Sequence, residues 1–209
     1  GGEGAFIGAV HRHAMALDGQ YQLVCGAFSR NNENNQQTAA KLNIDEDRAY
    51  ASWQQLLAAE ALLPEHERMQ VLIIVTPNQL HVPISRAALQ AGFHVFCEKP
   101  PGMNVTEIEN VIIAEKNNLN IKLKYGFNHR YHRAFRKANE IIKTGDLGQL
   151  YFIRARYGHG GRVGYNKEWR ANPAISGGGE LIDQGSHLID LSFPLPCLPL
   201  ILVIRGLHR

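Results

Sequence analysis

The sequence predicts an α/β fold in which a doubly wound parallel sheet is followed by an incomplete α+β domain with a mainly antiparallel, open sheet. Two observations predict this fold. Short apolar runs alternate with segments of helical period as far as about residue 127, which is typical of parallel strands covered on both faces. Beyond that residue the pattern changes, and residues 150–158 alternate as a half-exposed strand would.

Apolar runs and helical periods predict the elements of the first sheet in order. Strands are predicted at 21–30, 71–78, 94–102 and 121–128. Helices are predicted between and around them at 37–43, 51–63, 81–92 and 106–118. The polar tract 31–37 predicts a surface loop.

Composition and charge exclude several classes of function. The chain has 209 residues, of which 44% are apolar and 20% are charged, as in an ordinary folded protein. A formal net charge of +3 is too small to require nucleic acid or an anionic membrane as a partner. The three cysteines have no metal-ligand spacing, and no apolar stretch is long enough to span a membrane. We therefore expect a cytoplasmic protein without a bound metal.

Ligands bind to a doubly wound sheet beyond the carboxyl ends of its strands. The predicted strands bring four groups of residues to this rim: Ser29 with Arg30, residues 76–78, residues 98–100, and Phe127 with Asn128. Lys99 comes straight after a buried run. We therefore expect its ammonium group to face the rim, where burial or a nearby cation would suit it to proton handling.

A glycine-rich segment at the start of the chain is the candidate phosphate-binding turn. Gly2, Gly4 and Gly8 are spaced as G-x-G-x-x-x-G, which differs from the common G-x-G-x-x-G. Glycines in such a turn let the backbone approach a pyrophosphate at a helix N-terminus. The alternative is a flexible terminus. With a first strand upstream of residue 1, the turn would lie at the same rim of the sheet.

Ser29 and Arg30 bear on the choice between NAD and NADP. They follow the second strand of such a domain, where proteins that prefer NAD usually carry an acid for the ribose 2′-hydroxyl. Neither residue is acidic, and the two could instead hold a 2′-phosphate. The pair therefore slightly favours NADP, although a solvated loop arginine is the alternative.

The segment GGGELIDQGSHLIDL, residues 177–191, carries candidate acid–base residues. Asp183 and His187 are four residues apart, so a helix places them one above the other on one face. On spacing alone, this pattern indicates either a solvated helix face or an acid–base pair held over a substrate.

Four segments, taken in order and separation, resemble the Gfo/Idh/MocA family of NAD(P)-dependent oxidoreductases. They are TPNQLH (76–81), EKP (98–100), GFNHRY (126–131) and the segment 177–191. The resemblance runs from residue 1 to about 192. It implies a catalytic set of Lys99, Asp183 and His187, in which Lys99 bonds the reacting oxygen, His187 is general base or acid, and Asp183 contacts a substrate hydroxyl.

The resemblance also implies two domains. Residues 1–127 are expected to form the dinucleotide-binding domain, without the first strand that the family has, and 128–209 the start of the α/β substrate and oligomerisation domain. A basic helix at 131–148 and the strand at 150–158 are predicted to open the second domain. From about residue 192 the sequence departs from the family pattern, as a truncation or a change of reading frame would cause.

The candidate site residues form two sets. Those expected to contact the cofactor are Gly2, Gly4, Phe6, Ile7, Ser29, Arg30, Thr76, Pro77, Asn78, His81, Glu98, Lys99, Pro100 and Asn128. Those expected to contact the substrate are Lys99, Arg130, Trp169, Arg170, Asp183 and His187. A packing role for Trp169 is equally plausible. His129 and His132 lack the carboxylate or thiol partners of a metal site.

The function that these residues predict is hydride transfer between NAD or NADP and a sugar, cyclitol or related polyol. One alternative is an NAD-dependent glycoside-cleaving enzyme of the same fold. Another is a non-catalytic relative that binds nucleotide or ligand. We expect a small-molecule substrate, no nucleic-acid or membrane partner, and a homo-oligomer for a full-length relative.

Overall fold

The computed structural model describes residues 1–158, 163–179 and 181–192. Its helices are α1 (Phe6–Ala16), α2 (Asn32–Lys41), α3 (Trp53–Glu60), α4 (His81–Gln90), α5 (Val105–Lys116), α6 (Arg133–Thr144), α7 (Pro173–Ser176) and α8 (Ser186–Ser192). Its strands are β1 (Val71–Ile74), β2 (His94–Cys97) and β3 (Leu123–Tyr125). A π-helix, Leu181–Gly185, directly precedes α8.

The three strands form one parallel sheet in the order β1-β2-β3. Val71 pairs with His94, and Val95 pairs with Leu123. Each crossover contains a helix, α4 and then α5, as parallel neighbours require. The strands predicted within 71–78, 94–102 and 121–128 are therefore confirmed, as are the helices predicted at 51–63, 81–92 and 106–118.

An apolar core lies between this sheet and its helices. Among the described residues, Leu89, Phe93, Ala88 and Cys97 have no exposed surface. They come from the end of α4, the turn after it and β2, so the crossover helix and the central strand pack directly together. Apolar burial of this kind is the dominant favourable contribution to folding.

The strand predicted at 21–30 is wrong in the described structure. This segment makes a single parallel bridge, between Gly26 and Ala49, and joins no strand of the sheet. A cavity of about 800 Å³ lies between residues 20–28 and 66–76, along the free edge of β1. The segment therefore has no adjacent strand with which to build a ladder.

The loop predicted at 31–37 is also wrong, because α2 already begins at Asn32. The Asn31 side chain caps the helix by accepting a hydrogen bond from the backbone N–H of Asn34 at 2.9 Å. Asn35 has no exposed surface, and its Oδ1 accepts hydrogen bonds from the backbone N–H groups of Phe28 and Ser29. The polar tract is helical because the Asn31 side chain caps the helix and the Asn35 side chain bonds to the backbone of residues 28 and 29 of the same chain.

The region after the sheet contains no second sheet among its described residues. The helix predicted at 131–148 is confirmed as α6, which ends at Gly145 with a positive φ of 82°. The strand predicted at 150–158 is wrong, since residues 151–158 adopt neither helix nor strand. The atypical tail at 193–209 lies outside the described residues. Within the described part, no helix has the length and apolarity that crossing a membrane requires.

Candidate active site

Lys99 and Asp183 form the link between the sheet and the region after it. Lys99 follows β2 by two residues, and Asp183 lies in the π-helix Leu181–Gly185. The Lys99 ammonium group pairs with Oδ1 of Asp183 and also donates to the Asp183 backbone oxygen at 2.9 Å. The two side chains are only 16% and 18% exposed, so the pair is largely shielded from water. Two of the three predicted catalytic residues are therefore in direct contact.

His187 lies beside this pair on α8 and is buried. Burial, together with the nearby charges of His129 and Lys99, lowers its pKa to about 4, against the opposing effect of Asp183 and Asp190. Its ring is therefore a neutral imidazole near pH 7. Its Nδ1 is buried and has no hydrogen-bond partner among the described residues. A neutral imidazole has one nitrogen that donates and one that accepts a hydrogen bond, and no described protein group occupies Nδ1.

Arg170 lies beside Asp183, and Trp169 lies beside Arg170. Arg170 Nε is 4.0 Å from Oδ2 of Asp183, and its guanidinium stacks on the Trp169 ring with 4.5 Å to the centroid. Both side chains come from a 3₁₀ turn, Trp169–Ala171, that precedes α7. Their placement beside Asp183 agrees with the predicted substrate contacts, which stay a prediction.

Arg130 forms an ion pair with Asp190. Its Nε donates to Oδ2 of Asp190 at 2.7 Å, and its Nη2 also pairs with that carboxylate. Asp190 is buried on α8, so the bidentate pair fixes this helix to the turn after β3. Arg130 therefore holds the helix that carries His187, and the substrate contact predicted for it stays a prediction.

The glycine-rich turn has the shape that the sequence predicts. Gly4 has a φ of 83°, a conformation that favours glycine, and α1 begins two residues later. A Cβ at Gly2 would lie 2.4 Å from Oδ1 of Asn34, so any larger residue there would displace the Asn34 side chain. Phe6 is 78% exposed at the helix start and Ile7 is half-buried. Gly2 is buried, whereas residues 3–5 and the start of α1 at Phe6 are exposed.

Ser29 and Arg30 lie next to this turn. The backbone N–H of Ser29 is held by Asn35, and Ser29 Oγ accepts from the backbone N–H of Asn31 at 3.1 Å. Arg30 is exposed. Since a Cβ at Gly2 would also lie 3.2 Å from the Ser29 side chain, the loop and the glycine turn are adjacent, as a shared nucleotide site requires.

Two residues that follow β1, Asn78 and His81, have buried side chains. Asn78 is buried, and its Nδ2 donates to the Ser176 backbone oxygen at 2.7 Å. The ring of His81 is 1% exposed and lies between the carbonyl oxygens of Pro100 and Thr76, at 2.8 and 3.0 Å. Asn78 and His81 therefore fix the loops of the rim, and their predicted contacts with the cofactor stay a prediction.

Glu98 brings a partner that sequence reasoning missed. His11 on α1 lies with its Nε2 2.8 Å from Oε1 of Glu98, which joins the first helix to the loop after β2. A Cβ at Gly126 would lie 3.0 Å from the same carboxylate. Asn128 is exposed on the next loop. Only the alternation of histidines at 11–13 hinted at this contact.

His129 and Tyr157 are also site residues that the sequence did not reveal. The His129 ring stacks on His187 with 3.9 Å between centroids, and Tyr157 meets both rings edge-on. The only sequence signal was the position of His129 beside Arg130 in GFNHRY. No group of three or more His, Cys, Asp or Glu side chains that could hold a metal ion occurs in the described part of the chain.

A parallel sheet with helical crossovers, preceded by a glycine turn that leads into a helix, defines the class of dinucleotide-binding proteins. Comparison with known families gives a more specific assignment. Residues 2–127 match the oxidoreductase family with an NAD-binding Rossmann fold, and residues 135–193 match the GFO/IDH/MocA C-terminal domain. The chain belongs to the Gfo/Idh/MocA oxidoreductase family.

Three relatives illustrate the similarity. An uncharacterized oxidoreductase, YfiI, of Bacillus subtilis is 31% identical over 85% of this chain and 46% of its own length. The D-glucoside 3-dehydrogenase of Escherichia coli is 34% identical over 59% of this chain and 36% of its own. A crystal structure of an inositol dehydrogenase homolog from Azotobacter vinelandii, with NADH and myo-inositol, superposes with a TM-score of 0.84.

That crystal structure is 30% identical to this chain and is matched over 93% of this chain and 50% of its own. The chain therefore spans half or less of the length of these three relatives. The predicted family and Rossmann-type fold are confirmed.

Proposed function

We propose that this chain carries the cofactor site and the proton-transfer residues of an NAD(P)-dependent dehydrogenase that acts on a CH–OH group of a sugar, cyclitol or related polyol. The observation that carries the proposal is the contact of Lys99 with Asp183 beside the buried, neutral His187. The relatives named as dehydrogenases of a glucoside and of inositol support the substrate class. We also propose a domain boundary near residue 127 and, for the full-length protein, a homo-oligomer.

The residues at the amino-terminal turn fit a dinucleotide. At Gly4 the space that a side chain would fill is open, and its positive φ lets the backbone turn into the start of α1. A helix N-terminus favours a negatively charged pyrophosphate. Ser29 and the exposed Arg30 lie beside this turn, without an acid for the ribose 2′-hydroxyl. We therefore propose that NADP is preferred over NAD.

The proton-transfer residues suggest a mechanism. A bound NAD(P) would supply the hydride acceptor for the carbinol carbon, and the glycine turn with Ser29 and Arg30 would hold it. Lys99 donates a hydrogen bond to the hydroxyl oxygen and stabilises its developing negative charge. His187, neutral before reaction, takes the hydroxyl proton on a ring nitrogen, and Asp183 holds Lys99 and orients a neighbouring substrate hydroxyl. In the reverse direction, protonated His187 returns the proton to the carbonyl oxygen.

The cofactor site is tested by titrating the full chain with NADH and with NADPH while nicotinamide fluorescence is followed. Saturable binding, tighter for NADPH, is the expected result. Absence of binding to a chain that circular dichroism shows to be folded would contradict the cofactor site. Turnover is then assayed with myo-inositol and simple glucosides, and net reduction of the cofactor distinguishes a dehydrogenase from a glycoside-cleaving enzyme that regenerates it.

Lys99→Ala and His187→Ala are expected to remove turnover without removing cofactor binding. Positioned proton transfer contributes roughly 10²–10⁴ in rate, so we expect kcat to fall by about that factor for His187→Ala. The exposed residues Lys116 and His66, which lie outside the site, supply the matched controls Lys116→Ala and His66→Ala. Full activity in the Lys99 or His187 variant would refute the catalytic assignment.

A further inference from the structure

The stacked pair of His129 and His187 is the feature that the proposed mechanism leaves unused. Their ring planes are 17° from parallel, with the centroids 3.9 Å apart. Phe127 meets the His187 ring edge-on at 6.0 Å, and Tyr157 meets the His129 ring edge-on at 5.0 Å. The two imidazoles are therefore enclosed by aromatic rings on two sides.

Each ring of the pair comes from a different part of the fold. His129 lies in the 3₁₀ turn Asn128–Tyr131 after β3, whereas His187 lies in the first turn of α8. Tyr157 comes from the irregular segment 151–158, and its hydroxyl is 3.4 Å from Nε2 of His129. Since three separate segments meet here, the stack is a tertiary contact and fixes the ring plane of His187 against the turn.

The charged groups around the stack oppose protonation of the second imidazole once the first is protonated. The groups that act on the two rings are Lys99 beside β2, Asp183 in the π-helix, Asp190 on α8 and His132 before α6. Arg130 occupies the Asp190 carboxylate. The Asp183 carboxylate is occupied by Lys99. Both anions are thus already paired, and two imidazolium rings stacked face to face would repel each other in a partly buried site.

We propose that His129 is a positioning residue that holds the His187 ring by stacking, and that the two imidazoles form a coupled pair which takes up one proton at a time. The inference rests on the proposed role of His187 as the proton acceptor. After His187 has taken the proton of the substrate, the His129 ring is still neutral and remains stacked on it. The pair therefore carries one positive charge.

The effect on the pKa values has the same direction for both rings. Burial first, and then Lys99 and His132, lower the pKa of His129. Burial first, and then His129 and Lys99, lower that of His187 to about 4. Both rings are therefore neutral near pH 7, and each loses more of its affinity for a proton once the other is charged.

The test is a proton NMR titration of the histidine ring resonances in the full chain between pH 3.5 and 8, which needs neither cofactor nor turnover. We expect the His187 resonance to respond in two steps, one of which coincides with protonation of His129. His129→Phe keeps an aromatic ring in the stack but cannot take up a proton. It should therefore raise the pKa of His187 by about one unit, which is the size of interaction at which two sites titrate as a pair.

His66→Phe, a change at an exposed and remote histidine, should leave the His187 titration unchanged. An unchanged His187 titration in His129→Phe, or two independent single-step curves in the unaltered chain, would overturn the proposal. Where turnover is present, the acid limb of the plot of kcat/KM against pH should move to higher pH in His129→Phe. Because the NMR result does not depend on activity, its failure is distinguishable from failure of the proposed function.

Discussion

The parallel sheet and the region from residue 163 onward are held in place by different kinds of contact. Around the sheet, α4 and α5 pack on strands in which Ile74, Val95 and Cys97 are buried, and Leu89 and Phe93 are fully enclosed. The later region is attached through single polar links, among them Lys99 with Asp183, Asn78 with Ser176, and Arg130 with Asp190. The first region is therefore stabilised mainly by buried apolar surface, and the second is attached by polar links and by the stacking of His187 on His129.

The largest expected effect is on the apolar region. Leu89→Ala removes a fully buried side chain and leaves a cavity, so we expect the free energy of unfolding to fall by about 2–5 kcal/mol. Urea unfolding followed by circular dichroism measures it. Leu62→Ala is the control, because Leu62 is 87% exposed. Equal losses in the two variants would show that burial at Leu89 is not what stabilises the sheet region.

The second effect depends on pH and concerns Glu60, the fully buried carboxylate at the end of α3. Burial opposes its charge, but hydrogen bonds from Arg48, Met69 and Tyr50 outweigh burial and lower its pKa below the ordinary 4.5. Its contribution to stability is therefore present above pH 4.5 and is lost as the pH falls through the folded-state pKa.

Unfolding measured between pH 7 and pH 3 should show this loss. Glu60→Gln is expected to be less stable at pH 7 and to lose less further stability in acid. Glu65→Gln, a change at an exposed glutamate, should follow the unaltered chain. An acid dependence that is the same in the Glu60→Gln variant would assign the loss to other carboxylates.

A smaller and more local effect is expected from Asn78→Ala. This change removes the buried hydrogen bond to the Ser176 oxygen and leaves that carbonyl unpaired, at a cost of about 1–3 kcal/mol. Amide hydrogen exchange should then accelerate in residues 173–192 and stay unchanged in 71–125. The control is Asn120→Ala, at an exposed position. Faster exchange throughout the sheet would mean that the two regions are not held separately.

The smallest effect is expected at the surface pair of Lys41 and Glu3. The side chains are 62% and 55% exposed, with 2.6 Å between their charged atoms. Exposed pairs contribute about 0–1 kcal/mol, so Lys41→Ala should hardly change the urea midpoint, and 0.5 M salt should remove the difference. A large loss would show that the pair fixes the glycine turn to α2.

The sequence predicted the apolar region well because its signal is local. The β-branched run at 71–78 and the run at 94–102 need no partner to be recognised as buried strands. The polar tract 31–37 failed as a loop because Asn35 is buried by hydrogen bonds to another part of the chain, which composition does not reveal. The run 21–30 failed as a strand because a ladder also requires a neighbour.

The candidate site could be predicted only in part, for a similar reason. Lys99, Asp183 and His187 were found by motif, and the structure brings them together. The stacking of His129 on His187 joins residues 58 positions apart by sequence number and has no periodic signal. The pairing of Arg130 with Asp190 was missed likewise. Tertiary contacts between single polar residues are invisible to spacing rules.

The ring of His81, at the rim of the sheet, can adopt either of two tautomers. Burial lowers its pKa, so the ring is neutral near pH 7 and carries one N–H, yet both nitrogens face carbonyl oxygens, of Pro100 and of Thr76. One N–H cannot donate to both. The same atoms therefore have two forms, in which either the loop after β2 or the loop after β1 is hydrogen-bonded.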